Sequence, residues 1–237
     1  MYQEIFHETE FVYDIVPISV NRMAIIDFFI MQKTPDWIAW ARNLLAISQN
    51  GLTFTKDPFD RERFEEIEKI AKEMLSVQTG TPLERLNGIF SGEKGYATPK
   101  IDVRGGVFRD DNILLVREIS DGLWTLPGGW SDVGDSPSAA VEKEIMEESG
   151  FITVTRKLVA LYDRNKHAHP PMFFHVYKVF FICDIVGGAA RASIETDAVG
   201  FYAENELPPL STPRVTEEQI HTLFRHYRMP ELAAEFD

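Results

Sequence analysis

The chain is poor in cysteine, in cations and in long apolar runs. Its one cysteine excludes an intramolecular disulfide framework. That residue, Cys183, lies inside "VFFICDIV", where it reads as a core thiol on a strand. Lys and Arg number 24 against 37 Asp and Glu, a formal net charge of −13. Such a balance leaves no basic stripe, so no nucleic-acid partner is expected. An anionic substrate must then be met by local cations or by bound metal. The most apolar early segment, Val12 to Met31, is interrupted by Asp14, Asn21, Arg22 and Asp27. It reads as neither a secretory leader nor a spanning helix, and the expectation is a cytoplasmic protein with no membrane partner.

What the chain does have is enough apolar residue, 44%, to bury a domain of good size with a smaller appendage. Thr34 and Pro35 read as the cap and first position of a helix, with Gly51 just past its end. Trp37, Trp40, Ala41, Leu44 and Leu45 recur at helical spacing and form one wide apolar stripe. In a small three-helix unit that stripe is too large to leave exposed, which predicts a homodimer. A second helix spans Phe59 to Val77, with Phe64, Ile67, Ala71, Met74 and Leu75 on its apolar side. A short third helix starts at Thr81-Pro82 and carries Leu83, Leu86, Ile89 and Phe90.

From Gly95 the pattern changes to period 2 and short apolar runs. "KIDVRGGVF", "NILLVRE" and "LWTLPGG" read as strands or strand ends, and a helix follows from Ser136 to Ser149. Then come "TRKLVALYDR", "FFHVYKVFFICDIV" and "AVGFYAENELPPL", with a last helix near Thr216 to Tyr227. The class is α+β: a small all-helical domain over residues 31–95, then a mixed α/β domain over 96–237. Residues 1–30 fit neither and read as an arm whose status the pattern leaves open.

The helix from Ser136 is well bounded: Ser136 caps it, Pro137 suits its first turn, and Gly150 follows its end. Glu144, Glu147 and Glu148 fall within an arc of about 100° on it. Like charges at those spacings repel. Either the cluster is a solvated face or a cation belongs there. Three carboxylates on one rigid face are hard-oxygen donors suited to Mg²⁺ or Mn²⁺.

The surrounding spacing decides between these. From Gly129 the chain reads Gly-x5-Asp-x7-Lys-Glu-Ile-x-Glu-Glu-x-Gly-Phe. This resembles the Nudix box, Gly-x5-Glu-x7-Arg-Glu-aliphatic-x-Glu-Glu-x-Gly-apolar. Asp135 keeps the charge of the box glutamate one methylene shorter, and Lys143 keeps that of the arginine without its planar fork. With Gly150 these positions support the box, and the departures bear on loop geometry and rate rather than on the metal glutamates. "WIAWARNLLAISQNGLTF", "GYATPKIDVRGGVF", "DRNKHAHPP" and "IETDAVGFYAENELPPLS" extend the resemblance over Met31 to Asp237, to Nudix hydrolases with a helical N-terminal domain.

That resemblance implies an α/β/α sandwich with a mixed sheet. It implies metal-dependent hydrolysis of the pyrophosphate bond in a nucleoside diphosphate linked to another group. ADP-ribose, cleaved to AMP and ribose 5-phosphate, is the first expectation, and CDP-choline is the rival. Glu144, Glu147 and Glu148, with the backbone of Gly129, would hold Mg²⁺ or Mn²⁺. Arg104, in "DVRGG", occupies a strand position that commonly faces substrate in similar proteins, though an ion pair would suit it equally. Arg117 and Arg164 are further phosphate candidates. His167, in the loop with His169, is a candidate for proton transfer or leaving-group binding. Glu195 is a candidate base or ligand, against a plain surface glutamate. A non-catalytic nucleotide sensor on the same fold is the alternative of another class, and the intact glutamate set favours catalysis over it.

Overall fold

The computed structural model describes residues 37–237. The predicted arm and the Thr34–Pro35 helix start lie outside the described residues.

Three helices come first: α1 (Trp37–Phe54), α2 (Pro58–Thr79) and α3 (Leu83–Phe90). Asp57 caps α2 by accepting from the Phe59 and Asp60 amides, with Pro58 in the first turn. Ala41, Leu45, Ala71, Leu75, Leu86 and Phe90 form the core of the three. Two expectations change here. Helix α1 does not end before Gly51 but runs through it. A Cβ there would come within 2.5 Å of the Phe64 ring, so this glycine is a close-approach point for α2 rather than a cap. The apolar stripe also divides. Ala41 and Leu45 are buried, while Trp37 and Trp40 remain 42% and 50% exposed, stacked edge to face.

The remainder is a seven-stranded mixed sheet between two helices. Its strands are β1 (Lys100–Arg109), β2 (Asn112–Glu118), β3 (Trp124–Thr125), β4 (Phe151–Asp163), β5 (Val176–Gly188), β6 (Thr196–Tyr202) and β7 (Glu235–Phe236). The order is β3-β2-β1-β5-β4-β7, with β6 also on β2. Strand β1 runs parallel to β5 with Asp102 opposite Lys178, while β4 is antiparallel to β5. A tight hairpin joins β1 to β2, with Asp110 and Asp111 both at positive φ, as such turns require.

Helix α4 (Pro137–Ser149) covers one face of the sheet and α5 (Glu217–Arg228) serves the other. Val103, Val107, Leu114, Val141 and Ile145 share one core cluster, and Ile113, Leu115, Leu126, Leu223 and Phe224 share the second. Neighbouring glycines of β1 let both helices approach. A Cβ on Gly105 would meet Ile145 Cδ1 at 2.5 Å, and one on Gly106 would meet Leu223 Cδ2 at 2.9 Å. This is the α/β/α sandwich. "LWTLPGG" departs from expectation, forming only a two-residue strand before it turns to run along β1. Strand β5 starts at Val176, so Phe173 and Phe174 are free to pack on the core of the three helices. Among the described residues no helix is long and apolar enough to cross a membrane.

Candidate active site

Helix α4 is fixed at both ends. Ser136 Oγ accepts from the Ala139 amide, and Gly150 closes the helix at φ 79 with its N–H on the Met146 carbonyl. Val141 and Ile145 anchor it on the sheet. The glutamates turn toward a cavity of ≈ 990 Å³, where Glu148 is buried, Glu144 half-buried and Glu147 exposed.

The loop before α4 forms the facing wall because it hydrogen-bonds to β1. Val103 N donates to Gly129 O at 2.8 Å, Gly105 N to Pro127 O at 2.9 Å, and Ser131 N to Ile101 O at 3.0 Å. Gly128 lies flat on the strand at φ 142, where a Cβ would overlap the Val103 carbonyl oxygen. So placed, its N–H donates to Glu148 Oε2 at 2.9 Å. A Cβ on Gly129 would sit 2.9 Å from Glu144 Oε2, so the bare backbone there is what lets the carboxylate approach.

Burial pushes the Glu148 carboxyl up to about 8, against the pull of Arg104 and the Gly128 amide. Burial raises Glu144 as well, and the neighbouring Glu147 adds to it. Among the described residues none of the three glutamates forms an ion pair. Nor are any three His, Cys, Asp or Glu already gathered around one point. That open arrangement suits Mg²⁺, which binds through one or two carboxylates and completes its shell with water and substrate oxygens. The residues fit a divalent cation.

Arg104 lines the same cavity but its fork is occupied. Its Nε and Nη2 donate to Asp102 Oδ1 and Oδ2 at 2.9 and 2.8 Å, and Lys178 Nζ reaches Asp102 Oδ1 at 2.6 Å. Spacing of two along β1 puts Asp102 and Arg104 on one face, and the β1–β5 register delivers Lys178. All three are buried. Burial opposes the Asp102 charge, yet the two cations hold its carboxyl down at about 2. Burial lowers Lys178 to about 8.

The other predicted residues separate into those near the cavity and those away from it. Glu195 lines the cavity. Lys143 Nζ lies 2.8 Å from Asp132 and 4.0 Å from Asp135, so it ties down the box loop. Arg117, Arg164 and His167 do not line this cavity. Arg117 forks onto Asp197 across the β2–β6 pair, at 2.7 and 3.1 Å. Arg164 is buried and donates to the Pro170 and Pro213 carbonyls. His167 Nε2 lies 3.2 Å from Asp237 Oδ1. His169, beside it, contacts the Thr212 carbonyl through Nδ1 and accepts from the Gln219 amide at Nε2.

Sequence reasoning missed Glu118, Trp130, Arg191 and Arg214, all of which line the cavity. Glu118 is buried, and Arg214 Nε lies 3.1 Å from it. These residues come from β2 and three separate loops, and no spacing links them.

Comparison with known proteins gives the family. Residues 99–223 match the NUDIX domain, and the chain belongs to the Nudix family, whose chemistry is pyrophosphate hydrolysis with divalent metal. Residues 35–90 match a second model, the UDP-X-like N-terminal oligomerisation domain. The chain is 46% identical over 201 residues to the Bacillus subtilis (strain 168) protein named "Putative ADP-ribose pyrophosphatase YjhB", spanning 85% of this chain and 97% of that one. A crystal structure of a UDP-X diphosphatase matches with 36% identity and a TM-score of 0.57, over 85% of this chain and 98% of that one. An ADP-ribose pyrophosphatase from Streptococcus suis 89-1591 matches with 41% identity and a TM-score of 0.55, over 59% of this chain and 100% of that one.

Proposed function

We propose that this Nudix hydrolase is a metal-dependent pyrophosphatase of nucleoside diphosphates linked to a sugar or alcohol, and that it cleaves ADP-ribose to AMP and ribose 5-phosphate. The observation that carries the reading is the set of unpaired carboxylates, Glu144, Glu147 and Glu148, around a cavity large enough for such a ligand. A divalent cation, Mg²⁺ or Mn²⁺, would supply charge neutralisation for the diphosphate oxygens and acidify water beside them. Glu144 and Glu148 would hold it, with Glu147 and the Gly129 carbonyl at the edge. The Gly128 amide orients Glu148, and Arg104 adds positive potential from beneath while bonded to Asp102.

The charge balance supports a substrate with two phosphates over a nucleoside triphosphate. Arg104 and Arg214 are both engaged by carboxylates, so few fixed cations remain for a third phosphate. The likeness to a UDP-X diphosphatase across 85% of this chain supports a second reading, in which the base is uracil and X a sugar. The exposed Trp37 and Trp40, within the region that matches an oligomerisation domain, support homodimer formation through the helices. Light scattering at micromolar concentration tests this, and a monomer would refute it.

Phosphorus NMR of the products from ADP-ribose, UDP-sugars and CDP-choline, with Mg²⁺ and then Mn²⁺, tests the substrate. The expected result is two phosphomonoesters from ADP-ribose. Release of inorganic pyrophosphate from a triphosphate, with every diphosphate compound intact, would overturn it. Tight binding of ADP-ribose without turnover would favour a sensor.

A further inference from the structure

The arginines that line the acidic cavity are not equivalent. Arg104 is forked onto Asp102. Arg214 is held by Glu118 at 3.1 Å, by Asp121 at 3.0 Å and by the Ser120 hydroxyl at 3.0 Å. Arg191 is exposed, and among the described residues its guanidinium has no partner.

Its backbone, by contrast, is firmly placed. The β5–β6 loop is fastened to three consecutive carbonyls at the end of α4. Thr196 Oγ1 donates to Glu148 O at 2.7 Å, Arg191 N to Ser149 O at 2.9 Å, and Ala189 N to Gly150 O at 3.2 Å. Within the loop Ser193 Oγ accepts from the Glu195 and Thr196 amides, both at 3.1 Å. A loop tied to the backbone of Glu148 itself cannot drift relative to the glutamates. Only the Arg191 side chain has freedom left to lose when an anion arrives, which keeps the ordering cost of binding small. A plainer role is compensation of the negative end of the α4 dipole. That role needs no place in the cavity wall, which Arg191 has.

We infer that Arg191 is the cation that anchors the substrate in this cavity, donating to the diphosphate oxygens that the metal leaves uncovered. The inference rests on the nucleoside-diphosphate reading above and assigns the cavity arginine whose guanidinium is wholly unbonded among the described residues to the one strongly anionic part of that substrate. Its planar fork matches two phosphoryl oxygens at once, which a lysine would not.

The test is steady-state kinetics of Arg191→Gln and Arg191→Lys in Mg²⁺, on whichever linked nucleoside diphosphate the wild type cleaves, together with melting curves. Loss of a charge-assisted contact should raise KM by about tenfold to a hundredfold, with a far smaller change in kcat. Arg191→Lys should fall between, and neither variant should lower the melting temperature. A KM within about twofold of wild type, or a loss confined to kcat, would overturn the inference. So would a fall in melting temperature that Arg191→Lys restores while KM stays constant, since that is the dipole role. Failure of the substrate reading looks different: the wild type itself would cleave no linked diphosphate. The same pair of variants, assayed on the triphosphate cleaved instead, would then decide whether Arg191 anchors phosphate at all.

Discussion

Two groups of charge lie on either side of one glycine loop, and the molecule treats them in opposite ways. Beneath the loop, Asp102, Arg104 and Lys178 are buried with donors matched to acceptors. Above it, Glu144, Glu147 and Glu148 share a helix face with no ion-pair partner among the described residues, and burial drives Glu148 up to about 8. The first group is closed: its charges answer one another and fix how β1 meets β5. The second is open. In a chain already at −13, an unanswered carboxylate in a buried position makes physical sense where another cation is due to arrive.

The largest expected effect comes from opening the closed group. Asp102→Ala strips the counter-charge from two buried cations and should cost about 3–5 kcal/mol in urea unfolding. A loss below about 1 kcal/mol would mean that Arg104 and Lys178 find other partners. Next is neutralisation of the open group. Glu148→Gln keeps the shape that the Gly128 amide grips, yet should lower kcat in Mg²⁺ by about a hundredfold or more. Metal-free melting should hardly change near pH 4, where the amide mimics the protonated acid, and should rise at neutral pH, where the wild-type fold must hold a proton that its unfolded chain has released. Near wild-type turnover would remove α4 from the chemistry.

The two groups should also titrate in opposite senses. The folded-state pKa of Glu148 is raised from 4.5 to about 8, so the fold binds an extra proton between those values. Metal-free stability should therefore fall as pH rises through that window, and Glu148→Gln should flatten the slope. Asp102 is lowered from 3.8 to about 2, so its contribution is present above 3.8 and is lost as pH falls toward 2. Melting curves in EDTA across the pH range would show both, and a metal-free stability that climbs from pH 5 to 8 would contradict the first. The smallest effect belongs to Arg117→Ala, which breaks a solvent-exposed pair with Asp197 and should leave melting and kcat/KM unchanged. A tenfold loss in kcat/KM would return Arg117 to substrate binding.

The glutamate helix was legible because everything that defines it is local. Cap, first-turn proline, glycine end and carboxylate face all fall within one short stretch read at helical period. The change of period after Gly95 marked a mixed α/β domain, and the mixed sheet between helices was what the resemblance to the Nudix family implied. What sequence did not reveal is relational. For Arg104 the sequence left a substrate contact and an ion pair equally open, and the β1–β5 register that brings Lys178 to Asp102 is not written in any local spacing. Arg191, Arg214 and Glu118 reach the cavity from distant segments, and no spacing records that. Gly51 illustrates the converse error: read locally it ends a helix, whereas its role is set by the Phe64 ring of the next one. Trp37 and Trp40 fit the helical stripe by spacing, yet both stay exposed while Ala41 and Leu45 of the same stripe are buried.

The glycine pair in β1 has a consequence for tolerance. Ile145 and Val141, fully buried, rest on Gly105, and Ile145 directly follows Glu144 in the chain. The clearance between the strand and α4 is thus set by a methyl group that is missing. A single carbon added at residue 105 would have to be accommodated by lifting α4 away from the loop that orients Glu148. Displacements of about 1 Å at a reacting centre cost on the order of a hundredfold in rate. The proposed site is therefore gauged from underneath, by a residue without any functional group, and the margin for substitution is narrower in that strand than on the exposed rim of the cavity.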